Sequence, residues 1–449
     1  MRPTFAIASL LCLISNFALS QDNVVTKDKG KLSGQWRTYF MGTVNNGNLK
    51  DFYALASGGK IKYQYSFHDK LELGAAVYNA TNLGLQDLTL ADPTTGRLSR
   101  YEEGLFNGLD LANDAVFVLG ELYAKFKIPK HEFTLGRMKV NSPLLNPQDG
   151  RMIPTLVQGL WYGYRPNTSN VLQFGVFNQI APRSTGGFYG IGESIGTYPV
   201  GRNPAGQTSG YAGNTDSDYL VLFNTELKVT ETVRLDFWNL YADNVSNSTY
   251  LRPKMQLNQK WNLEMEWLHQ NKVGNGGNAV DSLRYFTSKS SDILGIRMNY
   301  RSNKSEISLT YNRIFAHGQF LSPREWGRED LFSFQKRERS EGSGDNHALV
   351  FYYDDHFGLG KGKDQIQGIF SVGKHWKPSV LDPRLNKYAI PDYTHINIDL
   401  FFKFEKLKNL QPELLLVTKI ANGDFPDNPN YYFNKTDMFH IDIILNYNF

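Results

Sequence analysis

The end of the chain admits few folds. Phe439, Ile441, Ile443, Leu445, Tyr447 and Phe449 take every second position up to the last residue, while His440, Asp442, Asn446 and Asn448 fill most of the gaps. Successive side chains of a strand point to opposite faces, so this strand has one oily face and one charged face. A strand of a soluble sandwich can alternate in the same way. Such a strand rarely ends a chain on a bare aromatic. A strand that crosses a membrane in a barrel needs an oily outer face and accepts charge on the inner one.

The rhythm recurs upstream. Ile396, Ile398, Leu400, Phe402 and Phe404 alternate with His395, Asn397, Asp399, Phe401 and Lys403. Trp261 to Leu268, Leu294 to Arg301 and Glu121 to Ile128 repeat the pattern. It predicts strands near 32–41, 58–67, 70–80, 116–128, 131–140, 156–165, 169–180, 218–229, 231–242, 247–258, 260–271, 290–301, 303–315, 346–357, 364–374, 392–405, 411–421 and 437–449. Short turns, among them His68-Asp69, Pro129-Lys130, Ser302-Asn303 and Gly358 to Lys363, alternate with longer connections. Short turns on one rim and long loops on the other describe an all-β, antiparallel transmembrane barrel of about eighteen strands. Closure leaves no unpaired sheet edge in lipid, and a barrel of this width leaves a lumen for water. The terminal Phe449 after alternating aromatics looks like the signature read by the outer-membrane barrel assembly machinery, which makes that machinery an expected partner alongside outer-membrane lipid.

Composition agrees. Aromatics reach 14 %, with 29 Phe and 25 Tyr, and mean hydropathy is −0.42. Beyond the N-terminus no stretch is apolar enough for a membrane helix. Arg2, the apolar run Phe5 to Leu19 and the small residues of Ala18-Leu19-Ser20 read as a secretory signal, residues 1–20, cleaved before Gln21. Residues 21–449 then form one barrel domain in a bacterial outer membrane. The single cysteine, Cys12, falls inside the signal, which excludes a disulfide framework from the mature chain. The 48 Lys and Arg against 44 Asp and Glu are too balanced for nucleic-acid binding.

One connection is unlike the others. Gly136 to Gly159 reads GRMKVNSPLLNPQDGRMIPTLVQG. Pro143, Pro147 and Pro154 forbid a regular strand, yet Leu144, Leu145, Met152 and Ile153 are too apolar for a loop in water. A loop folded inward onto the wall satisfies both facts and carries Asp149 and Arg151 to the narrowest point.

The pattern NSPLLNP followed by DGRMIP resembles the inward-folded constriction loop of the OprD family of substrate-specific outer-membrane porins. The first strand, Trp36 to Phe40, and the stretch PREWGREDLFSFQKRERSEGSGDNHA, Pro323 to Ala348, are similar to the same family. The resemblance implies a monomeric eighteen-stranded channel with a row of lumen arginines opposite a more acidic side, passing small carboxylate-bearing solutes such as amino acids. It also implies roles for Arg37, Arg151, Arg337 and Arg339, and matches Trp326 and Arg328 to the late-loop motif. Arg297 and Arg301 join the candidates from strand alternation alone. A guanidinium offers carboxylates a planar fork and stays charged at any working pH. Rows of such charge select by sign and still release the solute.

Other chemistries fit less well. His269, His347 and His440 lie in or beside predicted strands, but none has a neighbouring motif serine, so no enzyme is expected. Asp424 and Asp427 read as an exposed turn rather than a calcium site. The expectation is therefore a passive diffusion channel for small solutes, without cofactor. An oligosaccharide-selective porin and a blocked-lumen structural or adhesion barrel are the alternatives.

Overall fold

The computed structural model describes residues 30–67, 69–148, 150–359 and 363–449. The signal segment, Asp149, His68 and part of the turn from Gly358 to Lys363 lie outside the described residues. Among the described residues eighteen antiparallel staves form one sheet. They are β1 Gly30–Asn45, β2 Phe52–Phe67, β3 Leu71–Asn82, β4 Ala115–Ile128, β5 His131–Met138 and β6 Leu156–Tyr164. Then come β7 Val171–Ala181, β8 Leu220–Lys228, β9 Val233–Ala242, β10 Ser246–Gln256, β11 Trp261–Lys272 and β12 Ser290–Arg301. The last six are β13 Ser305–Ile314, β14 Asn346–Gly358, β15 Gln365–Trp376, β16 Asp392–Lys403, β17 Leu410–Asn422 and β18 Met438–Asn448. A two-residue strand, Tyr189–Gly190, pairs with the end of β7 inside a loop and is not a stave. The barrel closes where β1 meets β18, from Gln35 opposite Asn448 to Asn45 opposite Met438.

The last strand shows which face is which. Asp442 is 0 % exposed and lies toward the lumen, while Ile443 is 43 % exposed on the outer surface. Phe439, Leu445, Tyr447 and Phe449 share the outer face, and His440 and Asn446 share the inner one. This inverts a soluble protein and is what lipid selects: apolar side chains outward, polar ones enclosed. The outer faces of β11 and β12 follow suit with Trp261, Met265, Trp267, Leu294, Ile296 and Met298.

Both termini of the described barrel sit on the short-turn rim. The opposite rim carries the connections L2 (83–114), L3 (139–155), L4 (182–219), L6 (273–289), L7 (315–345), L8 (377–391) and L9 (423–437). Two connections on that rim, 46–51 and 243–245, are short. The first of these is where the structure departs most from the sequence reading, since β2 begins at Phe52 rather than near residue 58. Gly58 and Gly59 break the propensity pattern but not the ladder. Gly59 has φ 132°, and a Cβ there would run into the Gln35 carbonyl oxygen, so only glycine lets β1 and β2 approach at this point.

L3 folds inward and ties two cores together. Leu144 and Leu145 join the apolar cluster of Trp326, Ile191, Ile195 and Leu220, while Met152 and Ile153 join that of Tyr39, Met41, Leu105 and Leu156. Ile443→Arg places a charge near mid-membrane on the lipid face, and we expect it to cost about 2–4 kcal/mol. Equilibrium unfolding in lipid vesicles measures it, and wild-type stability in that variant would contradict the assignment of faces.

Candidate functional site

L2, L3, L4 and L7 converge on the wall made by β1, β17 and β18. On β1 the inward positions are Arg37, Tyr39, Met41 and Thr43, all buried. Arg37 Nε donates to Asn446 Oδ1 at 2.7 Å, and Arg37 Nη1 donates to the carbonyl of Arg151. The wall arginine thereby fixes the backbone of L3 at Arg151. Tyr39 Oη completes the hold with a 3.3 Å bond to the Gly150 carbonyl.

Arg337 of L7 is the next arginine in the group. Its φ is 73°, a region that non-glycine residues occupy rarely. Its guanidinium is clasped by Asp442, by His440 Nε2 at 3.0 Å and by Tyr39 Oη at 2.6 Å. Burial works against its charge, but Asp442 and Tyr39 hold its pKa above the ordinary arginine value. Beside it Lys419 of β17 donates to Glu338 Oε2 (2.8 Å), the Arg337 carbonyl (2.7 Å) and Tyr101 Oη (3.0 Å). Burial opposes ionisation of Glu338, yet Lys419 and then Arg100 keep its carboxyl well below the usual range. These bonds stitch L2 and L7 to the wall.

Arg151 is different because its guanidinium bonds no carboxylate among the described residues, although Asp442 and Glu102 lie close enough to favour its charge. Nη1 reaches Met41 Sδ at 3.4 Å, and the buried Nε meets no acceptor. Burial and the neighbouring Arg337 both lower its pKa. Arg183 of L4 stands close by, held to Gln148 Oε1 at 2.9 Å, and Arg339 donates to the same oxygen at 2.6 Å. Burial is the main cause that lowers Arg183 to about 9, and Arg151, Arg339 and Arg337 add to it against the help of Tyr198. Five guanidiniums thus share one neighbourhood, and Asp442, Glu102, Glu329 and Glu341 are among the carboxylates that enter their fields. Such a cluster presents positive charge and N–H donors on fixed backbone, chemistry complementary to a carboxylate.

The structure therefore brings Arg37, Arg151, Arg337 and Arg339 together. Arg297 lies on β12, bonded to Glu264 at 2.8 Å. Arg301 is 64 % exposed at the short-turn rim and pairs with Glu306 at 2.7 Å. Asp149 lies outside the described residues. The rest of the wall does not divide into a basic and an acidic side, because cations and carboxylates interleave: Lys62 with Glu121 at 2.5 Å, Lys125 with Glu132 at 3.2 Å and Arg297 with Glu264. Arg183, Gln148, Glu102 and Lys419 were missed in the sequence. Only Lys419, at an inward position of an alternating strand, had a signal that could have found it. Trp326 is buried and donates Nε1–H to Ser194 Oγ at 2.9 Å, so it serves packing. Asp424 and Asp427 are exposed in L9, and no group of three or more potential metal ligands occurs among the described residues.

L2 carries a titratable contact. Glu102 is fully buried, with Thr43 Oγ1 donating to Oε1 at 2.5 Å and Oε2 without a partner. Burial lifts its pKa to about 7 despite Thr43 and Arg151, and burial together with Glu102 lifts Glu103 to about 7. Both values lie above the free value of ~4.3, so the docked loop favours the neutral acids. Docking is strongest in acid and weakens as pH rises through about 7. Hydrogen exchange of the L2 amides, corrected for intrinsic rate, should accelerate across that range. The double variant Glu102→Gln, Glu103→Gln should flatten the profile, and a profile unchanged in that variant would contradict the assignment.

Comparison with known proteins gives the constellation a context. Residues 95–340, more than half of the chain, including L3 and L4 and most of L2 and L7, match the model of the outer membrane porin, OprD family. The Pseudomonas aeruginosa channel OccK1 (OpdK) superposes with a TM-score of 0.70 at 16 % identity, over 94 % of this chain and 99 % of that one. OpdK of the same organism, solved with vanillate, gives 0.69 at 14 % identity over 94 % and 99 %. Acinetobacter baumannii OccAB4 gives 0.68 at 14 % identity over 95 % and 100 %. At such identities these structures share the fold alone. No curated protein matches the sequence.

Proposed function

The chain belongs to the OprD family of outer-membrane porins, and from that membership we propose that its lumen passes small carboxylate-bearing solutes, amino acids among them, past the arginines gathered at L3. The coarse function follows from the family: a substrate-specific diffusion channel of the bacterial outer membrane for small molecules, not an enzyme.

The observation that carries the finer reading is the partnerless Nε of Arg151 within a group of five guanidiniums whose backbone is pinned by Arg37. Positive charge held on a fixed loop raises the local concentration of anions and lowers their barrier at the narrowest point. No single guanidinium there encloses a solute, so release stays fast. Vanillate, found with OpdK, is itself a small carboxylate, which supports the same solute class. The remaining parts of the reading are a cleaved export signal at 1–20, a single barrel domain over 21–449, and function as a monomer in outer-membrane lipid. Phe449 is paired through its backbone with Gly34, at 2.8 and 3.1 Å, and leaves its ring on the outer surface, where the assembly machinery can grip it.

Swelling of liposomes that contain the barrel tests the solute class. A small carboxylate such as lactate should enter several-fold faster than a neutral sugar of similar size. Arg151→Ala should remove most of that preference, and Arg301→Ala should leave it, because Arg301 is paired at the rim. Equal rates for the acid and the sugar in the wild-type barrel would contradict the proposal and favour a neutral cargo.

A further inference from the structure

The lumen has another place where cations outnumber carboxylates, away from β1 and β18. Arg297 of β12 and Tyr352 of β14 face a cavity of about 180 Å³ that L7 covers with Arg328, Asp330, Phe332 and Phe334. Arg297 spends an N–H on Glu264, and its guanidinium stands 4.2 Å over the Phe332 ring. Its buried Nε has no acceptor. Arg328 stands 4.5 Å over the ring of Phe334, and no acceptor meets its side chain among the described residues.

The other polar groups do not neutralise this pair. Asp330 is held by Arg252 at 2.9 Å. Tyr352 Oη is committed to the carbonyls of Phe332 and Phe334, at 3.1 and 2.7 Å, and so fixes the cover. Arg252, Lys254, Arg297 and Arg328 face Glu264, Glu266 and Asp330, which leaves one positive charge over. A guanidinium stacked on an aromatic ring keeps its in-plane N–H fork available, and the ring holds it in place. Leu331, Phe332 and Phe334 supply apolar surface in the same cavity.

We propose that this cavity is a second anion station: Arg328 and Arg297 take the carboxylate of a small organic acid, and its apolar body lies against Leu331 and the two phenylalanines. The inference rests on the reading of the lumen as a carboxylate path. It adds a site farther round the wall, at β12 and β14, where a solute released from the arginines at L3 is bound again. Flux of an acid with an apolar body then saturates at lower concentration than flux of a short polar acid.

Benzoate and acetate serve as probes. Binding to the full mature barrel is measured by calorimetry in detergent, alongside benzoate-induced current interruptions in planar bilayers. Benzoate should bind more tightly than acetate. Arg328→Gln should weaken benzoate binding about tenfold, as expected for loss of one charge-assisted contact. Arg328→Lys should weaken it less. Among the described residues the Arg328 side chain gives up no hydrogen bond or ion pair, only its stacking on Phe334, so the variant is expected to fold, and Arg297→Lys provides an independent readout. Unchanged benzoate affinity in folded Arg328→Gln and Arg297→Lys would overturn the station and leave the porin reading intact. Equal affinity for benzoate and acetate would overturn the apolar part of the site. Failure of the wild-type barrel to prefer a carboxylate over a neutral sugar in liposomes would instead remove the reading on which the station rests.

Discussion

Two buried ion pairs, Lys419 with Glu338 and Arg337 with Asp442, decide where everything else in the lumen sits. Each joins a wall strand to L7. Taking a charge out of water costs several kcal/mol, and an ion pair offsets that only when its remaining donors are satisfied. Lys419 meets the condition with three acceptors. Arg337 meets it through Asp442, His440 and Tyr39, and the same contacts hold it at a positive φ. Backbone strain of that kind persists only where the surroundings over-determine it. L7 is therefore a rigid inner wall rather than a free loop, and it supplies the cover of the Arg297 cavity as well as Arg339.

Satisfaction is uneven by location. Along most of the wall each cation is matched by a carboxylate, which spares the barrel the repulsion of an all-basic interior. Where L3 and L4 meet β1 the matching stops. Arg151 touches a thioether and Arg183 a side-chain amide, so neither charge is paired with a carboxylate. The carbonyl of Arg151 is bound by Arg37 while the Nε of its own side chain has no acceptor. Backbone anchorage and free N–H groups on one residue are what a selective yet transient contact requires. The apolar members of L3 complete the device, because Leu145 and Ile153 bury the loop in two separate cores.

Much of this was legible in the sequence, for reasons that also explain the gaps. Period-two alternation gave the faces of β11, β12, β16 and β18 directly, since lipid on one side and water on the other impose it. The three prolines and four apolar residues of L3 forced an inward loop. Periodicity gives the face of a side chain but not its depth: Arg297 and Arg301 share an alternation phase, yet one borders a cavity and the other lies at the rim. The start of β2 was hidden because Ala54, Ser57, Gly58 and Gly59 have low strand propensity, although close approach requires glycine at 59 against β1 and at 58 against β3. Arg183, Arg100 and Glu102 were invisible because they act through contacts between loops distant in sequence, such as Arg100 with Glu338 at 3.5 Å, and such contacts leave no period.

The central claim is that the lumen is open to ions and carries a net positive field where the loops converge. The reversal potential of the purified wild-type barrel in a planar bilayer, with unequal KCl on the two sides, reads both properties at once. The expected result is a steady current whose reversal potential lies on the chloride side of zero and shrinks as salt screens the arginines. A barrel that folds but conducts nothing, or one that prefers potassium, would contradict it.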